Sequence, residues 1–78
     1  MNKKAPGTYV LEHLQTQQKA TARYPKAALR KARAMGSNVE IVFVDEAGIE
    51  RSFTRIDAQL TDEAAMRELK RMQNDPLL

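Results

Sequence analysis

Seventy-eight residues suffice for one small domain, and a chain of that size buries only about 60% of its unfolded surface, so its stability is marginal. The absence of cysteine excludes disulfides and thiolate metal sites and is the pattern expected of a cytoplasmic protein. The net charge of +3 hides a split: residues 1–39 hold eight basic and one acidic side chain, net +7, and residues 40–78 hold five basic and nine acidic, net −4.

Residues 1–7 carry two lysines and then Pro6-Gly7, which reads as a flexible tail with no apolar stretch to make a signal peptide. Thr8 can cap a first helix, with Val10, Leu11 and Leu14 as its apolar stripe. The stripe fades in the polar run Gln15-Thr16-Gln17-Gln18-Lys19, so this helix is expected to bury only its first two turns. Pro25 ends it and suits the first turn of a second helix, because proline pushes the preceding residue out of the α region. Pro25–Met35 is rich in Ala, Lys and Arg, all strong helix formers, and Gly36 stands where a C-terminal cap belongs. Ala28, Leu29, Ala32 and Met35 share its apolar face.

Residues 39–44 are the clearest strand, Val-Glu-Ile-Val-Phe-Val, with Val39, Ile41 and Phe43 on one face. Asp45-Glu46-Ala47-Gly48 is the turn, and residues 49–56 return as a strand whose faces are each half polar, the pattern of a sheet edge. Thr61-Asp62-Glu63 opens the last helix, with a cap and two acids at the positive end of the dipole. Ala65, Met66, Leu69 and Met72 are its buried stripe, and Pro76 stops it. The expected fold is thus α+β in the order ααββα: two N-terminal helices, a two-stranded antiparallel hairpin and a C-terminal helix. The domain runs over residues 8–75, followed by a short apolar tail at 76–78. A lone hairpin is marginal in water. With both faces of the 39–44 strand calling for cover, that predicts a homodimer.

No constellation for catalysis is present. The single histidine, His13, falls in the expected first helix and is read as a surface or interface residue. One His without Cys makes no metal spacing, and three isolated glycines make no phosphate loop. An enzyme, a bound cofactor, a small-molecule substrate and a membrane partner are therefore not expected.

The remaining candidate is the basic stretch. Residues 13–39 contain six cations (Lys19, Arg23, Lys26, Arg30, Lys31 and Arg33) and no acid. Cations at helical spacing with no interleaved carboxylate repel one another by a few tenths of a kcal/mol per pair and call for an outside counter-charge or plain solvation. Phosphates of a nucleic acid fit the first need. Tyr24 lies inside the run, where an aromatic ring can stack on a base, and Arg51 and Arg55 on the return strand could extend the surface. A helix-turn-helix is disfavoured, since the first helix lacks the apolar stripe to pack and no glycine turn joins the two. Two functions are carried forward. One is a regulator that docks on nucleic acid, or on an acidic nucleic-acid-handling assembly, by occupancy. The other is an inhibitor or adaptor that covers a partner protein's surface with its hairpin, its apolar patches and Leu77-Leu78.

Overall fold

A computed structural model describes residues 7–74, the side chain of Asn74 excepted. Of the expected tail over residues 1–7, Gly7 instead begins β1, and residues 1–6, like the apolar Leu77-Leu78 end, lie outside the described residues. The chain order is β1 (Gly7–His13), β2 (Lys19–Ala22), α1 (Pro25–Met35), β3 (Val39–Asp45), β4 (Glu50–Ile56) and α2 (Asp62–Asn74). The four strands form one antiparallel sheet in the order β2-β1-β3-β4. The same plan, a hairpin followed by a helix, occurs twice. The halves meet where β1 pairs with β3, and both helices cover one face of the sheet.

The fold is α+β, but the expected ααββα order is wrong in its first element. Residues 8–19 are not a helix. They are β1, a polar turn and the start of β2. Two periodicities compete in 8–13. The helical one joins Val10, Leu11 and Leu14; the alternating one joins Tyr9, Leu11 and His13. The second prevails because a β-branched and aromatic run suits a pleated surface, and because β3 offers a full seven-residue partner, from Gly7 opposite Asp45 to His13 opposite Val39. Leu14, expected inside, is exposed in the turn. The hairpin is therefore not two-stranded but the outer half of a four-stranded sheet.

His13 holds the β1–β2 turn together. Its ring is buried, and its Nδ1 accepts the backbone N–H groups of Gln15 and Thr16 at 3.2 Å each. With Nδ1 as acceptor, the ring hydrogen of a neutral imidazole sits on Nε2. Nε2 lies beneath the loop after α1, 3.4 Å from where a Cβ on Gly36 would fall. Gln17 completes the turn at φ 63°, a left-handed conformation that asparagine or glycine usually supplies. His13, expected at the surface or at an interface, is thus a buried structural residue.

The core lies between sheet and helices. From the sheet come Tyr9, Leu11, Ala22, Val39, Ile41, Phe43 and Ile56; from the helices come Ala28, Leu29, Ala32, Ala65, Leu69 and Met72. The Tyr9 and Phe43 rings meet at 5.0 Å between centroids and a tilt of 59°, a favoured edge-on geometry for aromatic quadrupoles. The Tyr9 hydroxyl donates to the Leu69 carbonyl and so ties β1 to α2. Gly7 is required by close approach: a Cβ there would come within 2.7 Å of the Phe43 ring and 2.5 Å of the Val44 carbonyl.

α1 keeps its expected bounds. Tyr24 is its extended N-cap, as a residue before proline should be, and Gly36 closes it at φ 113°. α2 is capped by Thr61, whose Oγ1 accepts the Ala64 N–H at 3.1 Å. In the β3–β4 turn Asp45 Oδ1 accepts the N–H groups of Ala47 and Ile49 at 2.9 Å each, and Gly48 adopts φ 83°. β4 is a sheet edge, as its half-polar faces predicted, with a bulge at Arg51 where the register shifts between Phe43 and Val44.

A candidate basic interface on α1 and the β2 edge

The charge split along the chain becomes a division across the molecule. The basic first half is β1, β2 and α1; the acidic second half is β3, β4 and α2. The six cations of residues 13–39 do not act as one group. Arg23, Lys26 and Arg30 are exposed at and along the start of α1, and none has a hydrogen-bond or ion-pair partner among the described residues. Tyr24 stands among them with 68% of its surface exposed. Lys19 is exposed at the far end of β2 but lies opposite Glu12 on the uncovered sheet face, which offsets part of its charge.

Lys31 reaches across from α1 to donate to the Thr21 carbonyl at 2.5 Å, so it lies over the open edge of β2. It remains exposed and can still present charge outward. Arg33 is different. Its guanidinium donates to the Asp57 carbonyl at 2.9 Å, to the Leu60 carbonyl and to the Asp62 carboxylate at 2.9 Å. These bonds clamp α1 to the loop between β4 and α2. Arg33 is therefore committed to contacts within the fold and does not belong with the free cations among which the sequence reading counted it. Arg23, Lys26 and Arg30 remain, because Arg33 reaches toward the β4–α2 loop and the start of α2.

The suggested extension is remote. Arg51 and Arg55 belong to β4, three strands from β2, and Arg51 Nε is bound to Asp45 Oδ2 at 2.8 Å. Arg55 lies opposite Glu40. They do not join the α1 surface. Beside them Glu40, Val42, Glu50, Arg51, Ser52 and Phe53 line a shallow cleft of about 340 Å³.

Among the described residues no group of three or more His, Cys, Asp or Glu side chains is placed to hold a metal ion, and no helix is long and apolar enough to cross a membrane. What sequence reasoning missed is the uncovered face of the sheet, where Val10, Val42 and Phe53 stand in one row across β1, β3 and β4. Its signal was the alternation in residues 8–13. Comparison with protein families, with curated proteins and with solved structures finds no match to this chain.

Proposed function

We propose that this chain is a non-enzymatic nucleic-acid-binding protein that docks through the start of α1 and the β2 edge. The observation that carries the reading is a contrast between cations. Where the fold uses an arginine, as at Arg33 and Arg51, it supplies carboxylates and carbonyls. Among the described residues it supplies none to Arg23, Lys26 and Arg30. Three exposed cations around an exposed tyrosine suit a phosphate backbone with one base or sugar against the ring. Lys19 and Lys31 flank them along β2. Nine of the ten acids lie in the other half of the chain, so the field orients the approach to an anionic polymer.

The test is the affinity for short duplex DNA and single-stranded RNA, measured by fluorescence anisotropy over a range of salt concentrations. Five phosphate contacts predict a log–log slope of about −4.5 on duplex DNA. Reversing Arg23 and Arg30 to Glu should abolish binding with an unchanged circular dichroism spectrum. Loss of the reading follows if neither nucleic acid binds saturably at low salt, or if the double reversal leaves affinity unchanged. Salt-independent binding to a protein partner would favour the inhibitor or adaptor instead, since apolar contact does not depend on counterion release.

A further inference from the structure

We infer that the open edge of β4 is an interface for a second copy of this chain, pairing β4 with β4 antiparallel about a twofold axis at Thr54. This inference is independent of what the basic surface binds. The sheet has two edges, and they are not equivalent. The β2 edge is four residues long, and Lys31 already donates to its Thr21 carbonyl. β4 is seven residues long, and among the described residues nothing covers its outer side. An uncovered edge of that length presents a row of unpaired backbone groups, a template for another strand.

The hydrogen-bond alternation shows which groups are free. Asp45 donates its N–H to the Ile49 carbonyl, so the odd-numbered residues of β3 bond toward β4. Their partners Ser52, Thr54 and Ile56 are thereby used. Phe53 and Arg55 turn their N–H and C=O groups outward. Phe53 is also 63% exposed and ends the apolar row of Val10 and Val42 on the uncovered face.

Regularity and charge then select one register. The ladder is regular only from Ser52 to Ile56, because the bulge interrupts it at Arg51. The midpoint of that stretch is Thr54. A twofold axis there sets Phe53 against Arg55 of the second copy, twice, as cation–π pairs. It also brings Arg51 toward the second copy's Asp57. Moving the axis to Phe53 would oppose Arg51 and Arg55, two like charges in each half. Moving it to Ser52 would place the pairing on the bulge.

Single-cysteine variants test both the interface and the register, because the natural chain has no cysteine. Residues on the axis in a non-hydrogen-bonded pair have Cα atoms about 4.5 Å apart, within reach of a disulfide. Oxidised Thr54→Cys should run as a covalent dimer. Phe53→Cys, offset by two residues from its own copy, should not. Wild-type protein should sediment at twice the 8.8 kDa chain mass at micromolar concentration, and Phe53→Lys should sediment as a folded monomer. Cross-linking of Phe53→Cys in place of Thr54→Cys overturns the register. A wild-type monomer, or a Phe53→Lys dimer, overturns the interface.

Discussion

Tyr9 does two things at once. Its ring packs on Phe43 in the core, and its hydroxyl donates to the Leu69 carbonyl of α2. Burial raises the phenol above its ordinary pKa of 10.0, because the phenolate is poorly solvated there. The folded state therefore holds this proton more tightly than the unfolded state. That stabilisation is complete below pH 10 and is lost as pH rises beyond it toward the folded value. Tyr9→Phe should cost about 1 kcal/mol at neutral pH, the net worth of one hydrogen bond. It should also flatten the alkaline fall in stability, which thermal melts between pH 8 and 11 would read. An equally steep alkaline fall in the variant would place its origin elsewhere.

At the scale of elements, the β3–β4 turn depends on one carboxylate. Asp45 is lowered from its usual 3.8 first by the Ile49 N–H; burial opposes this as the next largest effect, and Arg51 and the Ala47 N–H lower it further. A lowered pKa means that the carboxylate's support is present above pH 3.8 and is lost as pH falls through the folded value. Protection of the Ala47 and Ile49 amides, taken against the intrinsic exchange rate at each pH, should fall there, and Asp45→Asn should remove that dependence, since its carbonyl still accepts both N–H groups. Protection at Ala47 and Ile49 that holds into strong acid would show that the turn does not need the charge. This turn, α1, β3 and the cap of α2 were legible because each carries its own local chemistry: Asp-x-x-Gly, a proline at one end and a glycine at the other, a β-branched run, Thr-Asp-Glu. β1 was not. Its turn lacks glycine, proline and asparagine, and Gln17 takes the left-handed conformation through hydrogen bonds around buried His13, which only the folded chain assembles.

Across the whole molecule, Arg33 joins what the sheet leaves separate. It bonds residues 24 and 29 positions downstream, so nothing near it in sequence marks it as different from Arg30. That separation is why the basic stretch was legible as charge but not as a division between a clamp and a free surface. Arg33→Gln should lose the charge-assisted contact to Asp62 and weaken both carbonyl contacts, costing about 2 kcal/mol. Arg30→Gln should stay within about 0.5 kcal/mol of the natural chain, as surface substitutions do. Chemical denaturation of the two variants side by side measures the difference. Equal midpoints would mean that the clamp carries no net stability.

The reach of Lys31 to the Thr21 carbonyl also limits growth. A sheet with two receptive edges adds copies without end, and head-to-tail addition makes fibres. Here one flank is short and already occupied by an ammonium group. In the proposed pairing, strand addition at β4 uses the same flank of each molecule and leaves outward only the short β2 flanks that Lys31 overlies. Association by that route would close at two, a finite particle and not a polymer.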